Sequence, residues 1–249
     1  MTEADSPKGG EGDEWVNFDS EAYFKHYYGD PHPDDDLVLR MICDVFKAAD
    51  SPLHTIDVGT GPNLYPFFAA LPRAHRLTAW EYSSANVAWL NAELQREVMR
   101  PQWEHFWKVV CDAYGSGWEL PSDPIAALRR KASVRQGSIY DLPKREWDAA
   151  TMFFCAEAVT DKQDEFDKAC GCFAGAVRPG GMLAAAFILN SPGYEVGGRP
   201  YPVMNLTEKS LRRTFDGFAD AVTTQTIGMT KEEVRSGYTG MCFVTARAR

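Results

Sequence analysis

Residues 56–65 read I-D-V-G-T-G-P-N-L-Y, and the rest of the chain is legible from this point outward. An apolar run over 53–58 feeds directly into Gly59 and Gly61, which free the backbone to turn sharply and to approach a ligand closely. The residues after the loop read as a helix whose N-terminus faces the same point. The pattern is not the G-x-G-x-x-G dinucleotide fingerprint: position 64 is leucine, and Pro62 removes an N–H that a pyrophosphate would use. The loop suits a nucleoside cofactor without phosphates, although a plain structural turn also accounts for a lone D-x-G-x-G. Glu81 separates the two readings. It ends the next strand, 20 residues beyond Gly61, where a carboxylate accepts hydrogen bonds from both hydroxyls of a ribose.

Working outward, strands are expected at 53–58, 76–81, 132–136, 147–154, 181–189, 219–228 and 241–247, with helices at 63–71, 84–98, 161–177 and 207–215. Alternating strands and helices imply βαβ units and a largely parallel sheet covered on both faces. Only Gly228 and about a dozen residues separate the last two strands, which makes that pair antiparallel. The fold class is therefore α/β, a Rossmann-like seven-stranded sheet of the class I methyltransferase outline with its last strand antiparallel. Three segments stand outside it: a helical cap at 15–52, an insertion at 97–131, and 190–206, where Gly197-Gly198 suits a hairpin turn serving as a lid. In the cap, helices are expected at Ser20–Tyr28 and from about Asp34, where Asp34, Asp35 and Asp36 read as capping acids rather than a metal cluster. Residues 1–14 read as a mobile acidic tail, and 15–249 as a single domain.

Composition narrows the function classes. The 249 residues carry 26 Lys plus Arg against 35 Asp plus Glu, a net charge of −9 that is unsuited to general nucleic-acid binding. The imbalance is local: residues 1–52 hold 13 acids and 4 bases, whereas 53–249 hold 22 of each. No stretch reaches the ~18 apolar residues of a membrane helix. The N-terminus lacks the apolar core of a secretory signal, and the 6 cysteines are scattered without a C-x-x-C pair. These features imply a cytoplasmic soluble protein, monomeric, with neither membrane nor nucleic acid as partner. The five histidines are dispersed, so no metal site is expected.

Two further motifs lie at strand ends: V-R-Q-G-S-I-Y-D-L-P at 134–143 and F-F-C-A-E at 153–157, placing Ser138 and Glu157 toward the ligand crevice. Glu157 suits holding an amine, and a helix-capping acid is the alternative. With these on the page, the chain resembles the small-molecule N-methyltransferases that act on nicotinamide, phenylethanolamine, indolethylamine and thioethers. N-F-D-S-E-A-Y-F-K-H-Y-Y at 17–28 is similar to the family's F-x-x-x-x-Y-L-x-x-Y-Y, and I-D-V-G-T-G-P-N-L-Y to its I-D-I-G-S-G-P-T-x-Y. W-E-Y-S-S-A-N, W-K-V-V-C-D, F-C-A-E-A-V, R-P-G-G and the hairpin extend the match from about residue 17 to the end.

The resemblance implies S-adenosylmethionine as cofactor, S-adenosylhomocysteine as product and a small amine as acceptor. It implies that Tyr23, Tyr28, Gly59, Thr60, Gly61, Tyr65, Glu81, Tyr82, Asn86, Ser138, Ile139 and Phe153 meet the cofactor. Glu157 and Tyr27 would serve catalysis, with Tyr27, Asn190, Ser191, Tyr194 and Tyr238 around the acceptor. Departures fall at both ends: beside the cofactor, Ser138 and Glu81 stand where aspartates are usual and Phe153 replaces a small residue, and at the acceptor end the strand-five acid appears as Asn190 or Ser191. A small-molecule O-methyltransferase and a non-catalytic S-adenosylmethionine-binding protein are the competing readings, with an NAD-linked oxidoreductase disfavoured by the broken glycine pattern.

Overall fold

β1 (Leu53–Val58) is an internal strand of the sheet, buried at five of its six positions. The computed structural model describes residues 15, 18–191, 193–201, 203–228 and 239–249. β2 (Ala74–Glu81), β3 (Ala132–Gln136), β4 (Trp147–Phe153), β5 (Val177–Ile188), β8 (Ala219–Ile227) and β9 (Met241–Ala248) complete a sheet of order β3-β2-β1-β4-β5-β9-β8. The first five strands in that order pair in parallel, and β9 runs antiparallel between β5 and β8. Every strand expected from the sequence is present. β5 starts earlier than expected, at Val177, because R-P-G-G is absorbed as an irregularity: Trp147 pairs with Val177, but Ala149 already pairs with Met182.

The period-2 alternation of buried strands sorts side chains to two cores. Along β5, Ala184, Ala186 and Ile188 face one side, and Leu183, Ala185 and Phe187 the other. The second side is covered by α7 (Gln163–Gly175) and α8 (Glu208–Asp216). The first is covered by α2 (Pro33–Lys47), α3 (Tyr65–Ala70), α4 (Ser84–Leu94), α5 (Pro101–Tyr114) and α6 (Pro124–Lys131). The insertion expected at 97–131 thus supplies α5 and α6, and its Trp103 and Phe106 are fully buried in that core.

α1 (Ser20–Tyr28) is drawn over the carboxyl ends of the strands by one arginine. Arg100, just before α5, donates from Nε to both carboxylate oxygens of Glu93 at 2.9 Å and from Nη1 and Nη2 to Glu21 on α1 at 2.9 and 3.0 Å. The indole N–H groups of Trp89 and Trp103 donate to the same two carboxylates, and the guanidinium lies 4.6 Å from the Phe24 ring centroid. The Arg100 hydrogen bond holds the Glu21 carboxyl below its ordinary range. Ser20 Oγ adds a 2.6 Å bond to Asn86 Oδ1 on α4.

The expected hairpin is β6 (Tyr194–Val196) and β7 (Arg199–Tyr201), turned by Gly197 and Gly198 at φ +57° and +77°. Positive φ at both turn residues is the twist-matched solution for a two-residue loop. The Tyr194 and Tyr201 rings stack at 5.2 Å, and Trp15 and Phe18 pack on Tyr201 at 4.9 and 5.5 Å. The hairpin and the N-terminal segment therefore form one small apolar cluster of their own.

Candidate active site

The carboxyl ends of β1, β2, β3 and β4 open onto a cleft of about 740 Å³ beneath α1 and the hairpin. Gly59 and Gly61 form its floor at φ +66° and +57°. A Cβ built on Gly59 would strike the Cys155 side chain, which packs beneath the loop. On Gly61 a Cβ would meet nothing nearer than Gly59 O at 3.9 Å, so it would project into open space. Thr60 Oγ1 donates to the Asp57 carbonyl at 2.9 Å and pins the loop to β1. Behind it, the buried Asp57 carboxylate accepts from Thr151 Oγ1, and burial raises its pKa to about 7.

Glu81 is 5% exposed and borders the cleft. Its Oε2 accepts from Gly61 N–H at 2.8 Å and its Oε1 from Ser83 N–H at 2.7 Å, while the Asn86 side chain adds a further hydrogen bond. Burial raises its pKa above the usual glutamate value, and the donors from Gly61 and Ser83 oppose that shift. A carboxylate has about four lone-pair positions, and these donors together with the Tyr82 N–H fix this one in place at the edge of the cleft. Ser20, Asn86 and Glu81 form a relay from α1 to the floor. The glycine floor and the held carboxylate fit a ribose-bearing cofactor.

The structure gathers Tyr23, Tyr28, Gly59, Thr60, Gly61, Glu81, Tyr82, Asn86, Ile139, Phe153 and Tyr194 around this one cleft. Others are placed differently. Ser138 turns its hydroxyl to cap a 3-10 turn, accepting from Tyr140 N–H at 3.0 Å, and its carbonyl accepts from Trp80 Nε1 at 2.9 Å. Tyr65 is fully buried behind Phe153, ringed by Tyr28, Phe106 and Phe153 at 5.9, 5.3 and 6.1 Å. Asn190 is exposed and donates to Thr239 Oγ1 at 2.7 Å, and Ser191 Oγ donates to the Gly193 carbonyl at 3.1 Å. Tyr27 is half-buried, 4.5 Å from the Tyr23 ring centroid and outside the lining. Tyr238 lies outside the described residues.

Glu157 also departs from its expected position. It is 1% exposed on a 3-10 turn, where Oε1 accepts from Ile188 N–H at 3.1 Å and the backbone carbonyl accepts from Met204 N–H at 2.7 Å. Residues three apart eclipse in a 3-10 turn. Cys155 and Ala158 accordingly line the cleft together, and the intervening Glu157 faces the end of β5.

Sequence reasoning missed Trp80, Gly137, Cys155, Trp15 and Phe18, all of which line the cleft. Gly137 had a readable signal, a glycine directly after a strand: a Cβ there would strike the Trp80 indole.

The sheet order, with one antiparallel strand inserted next to the edge, and the glycine cleft at the strand ends define a class I methyltransferase. A family profile described as NNMT/PNMT/TEMT matches residues 10–249, and the chain belongs to that family of S-adenosylmethionine-dependent methyltransferases. Bovine phenylethanolamine N-methyltransferase is 25% identical over 217 residues, covering 80% of this chain and 76% of its own length. Porcine nicotinamide N-methyltransferase is 24% identical over 209 residues, covering 78% and 79%. Among solved structures, magnesium protoporphyrin IX methyltransferase from Synechocystis superposes with a TM-score of 0.59 at 12% identity, over 95% of this chain and 94% of that one, a likeness of fold.

Proposed function

We propose that this protein transfers a methyl group from S-adenosylmethionine to a nitrogen atom of a small molecule. The observation that carries this reading is the buried Glu81 carboxylate, held by Gly61 and Ser83 N–H groups beside a glycine floor with open space above it. Glu81 would hold the ribose hydroxyls, Tyr82 and Ile139 the adenine, and Tyr23 and Tyr28 the amino-acid end. When bound, S-adenosylmethionine supplies an electrophilic methyl on a sulfonium, a donor that needs positioning more than activation. Positioning of that kind lowers a barrier by several kcal/mol. The relatives' names specify nitrogen acceptors, which favours nitrogen over oxygen here.

The chain's own contribution is geometric. Arg100 keeps α1 and its tyrosines over the cleft, and the Trp15, Phe18, Tyr194 and Tyr201 cluster closes one side against water. Glu157 acts as a positioning residue: it ties the end of β5 to the turn after β4 and to the hairpin's return at Met204. The test is calorimetric titration with S-adenosylhomocysteine, followed by methyl transfer from labelled S-adenosylmethionine to a panel of amines and aromatic nitrogen heterocycles. Binding of NAD in place of S-adenosylhomocysteine, or labelling of hydroxyl acceptors alone, overturns the reading.

A further inference from the structure

Ser138 follows β3, where the resemblance places an aspartate beside the adenine, and the fold turns it another way. Its hydroxyl is used within the local turn, accepting from Tyr140 N–H at 3.0 Å. Its carbonyl accepts from Trp80 Nε1 at 2.9 Å. Gly137 and Ile139 on either side line the cleft, and Ser138 between them does not. The loop is held from below as well. Gly137 N–H donates to the Glu81 carbonyl at 3.0 Å, and a Cβ on Gly137 would strike the Trp80 indole, so ring and loop lie in direct contact. The indole is braced in turn against Trp147, with ring centroids 6.3 Å apart. Swinging the Ser138 hydroxyl toward a ligand would give up the bond from Tyr140 N–H that shapes this turn.

The base of the cofactor therefore meets Trp80, Tyr82, Gly137 and Ile139, a surface of aromatic rings, one aliphatic side chain and glycine backbone. Among the described lining residues Glu81 is the one carboxylate, and it already accepts from the Gly61, Ser83 and Tyr82 N–H groups. The two carboxamides in the lining have their oxygens committed: Asn63 Oδ1 accepts from Tyr65 N–H at 3.0 Å, and Asn86 Oδ1 from Ser20 Oγ at 2.6 Å. The Trp80 N–H is spent on Ser138, and an indole has no acceptor to offer an amine. Gln136 and Asp141 flank the loop, but both are exposed and neither lines the cleft.

We propose that position 138 sets the base specificity of the cofactor site, and that Ser138, by facing away, leaves the 6-amino group of the adenine unread. The purine is then held by contact and shape, and the site takes S-nucleosidyl cofactors altered at position 6 of the base. A site that hydrogen-bonds a ligand N–H rejects the analogue lacking it, because its own acceptor is left unpaired. Where no acceptor is offered, deleting the N–H strands nothing. An aspartate at 138 would restore such a reader: one carboxylate oxygen can take over the bond from Tyr140 N–H, and the second is left for an amine. This specificity rests on the proposed placement of the adenine at Tyr82 and Ile139, and deepens it.

The experiment is calorimetric titration of the full-length protein with S-adenosylhomocysteine and with its 6-deamino analogue, in which purine replaces adenine. Wild type should bind the two within about threefold of each other. Ser138→Asp should prefer S-adenosylhomocysteine by about tenfold or more, the scale of one hydrogen bond to a charged acceptor. It should bind the analogue within about threefold of wild type, which reports that the loop is intact. Trp80→Phe, which removes the donor to the Ser138 carbonyl, should weaken both ligands by a common factor of about three to ten and leave their ratio unchanged. The assignment is overturned if wild type prefers S-adenosylhomocysteine by more than about threefold, if Ser138→Asp falls short of its preference, or if Trp80→Phe shifts the ratio. The wild-type comparison needs no variant, so it remains decisive should either substitution prevent folding. Failure of the wild type to bind either ligand sinks the cofactor reading instead, so the two failures are distinct.

Discussion

Replacing Glu81 by glutamine probes the cofactor end of the cleft most directly, because the substitution preserves shape and changes only acceptor count and charge. Glu81 accepts from Gly61 N–H at 2.8 Å with one oxygen and from Ser83 N–H at 2.7 Å with the other. An amide has one acceptor oxygen, so its NH₂ must face one of these two donors and leave it unsatisfied at a site 5% exposed. Such an orphan costs about 1–3 kcal/mol, a fall in Tm of roughly 2–4 °C per kcal/mol in a chain of this size. Hydrogen bonds to a charged acceptor contribute about 1.5–3 kcal/mol each, and glutamine keeps part of that capacity. The expected result is a rise of about 10–100-fold in the Kd for S-adenosylhomocysteine, measured by calorimetry at fixed salt. Because burial raises the Glu81 pKa, wild-type affinity should also fall on acidification at a higher pH than an ordinary glutamate titrates, and Glu81→Gln should flatten that dependence. An affinity within about twofold of wild type, with unchanged Tm, would refute the assignment of this carboxylate to the cofactor.

Gly59→Ala forces a side chain into a φ of +66° and onto Cys155; it should cost roughly 1–3 kcal/mol in thermal unfolding and weaken cofactor binding, and Cys155→Gly in the same chain should recover part of the loss. Arg100→Ala removes the 2.9 Å ion pair of Glu93, 2% exposed, and leaves it only Arg96 at 3.8 Å, so a destabilisation of about 3 kcal/mol, the low end for a broken buried pair, is expected by denaturant titration. Asp57 has a folded pKa of about 7, raised above its unfolded value of about 3.9, so the unfolded chain sheds the proton first and stability should decline as pH rises from about 4 to about 7. Asp57→Asn should remove that decline in a pH series of melting curves, leaving the part due to Asp35, which ends near pH 8.

The cofactor half of the site was readable because it is made by the backbone. Gly59, Gly61 and a carboxylate at the next strand end are fixed by chain direction and spacing, and neither neighbour can change what they present. Side chains that act through rotation were not readable. Glu157 lies between Cys155 and Ala158, which line the cleft, yet the 3-10 turn carries it around the axis and onto the β5 end. Tyr65 lies in the motif itself, but the helix that starts there turns its ring into the core behind Phe153. Arg100 carried no local signal at all, since its two partners lie 7 and 79 residues away and only the assembled fold brings them together.

The same contrast separates the sheet from the segments added around it. The strands and the glycine loop form the floor of the cleft, and segments added around them, α1 and the hairpin, cover it. α1 and the start of α2 also lie in the acidic part of the chain, with 13 acids against 4 bases in the first 52 residues. Had all of those acids been solvated, they would have acted only as a diffuse, salt-screened field. Two of them, Asp34 and Asp35, are instead buried at 0% and 7% exposure in the opening turn of α2, where burial raises the Asp35 pKa to about 8. A carboxyl whose pKa lies near 8 is largely neutral at pH 7, so Asp35 adds little to that field, which comes from the solvated acids of the segment.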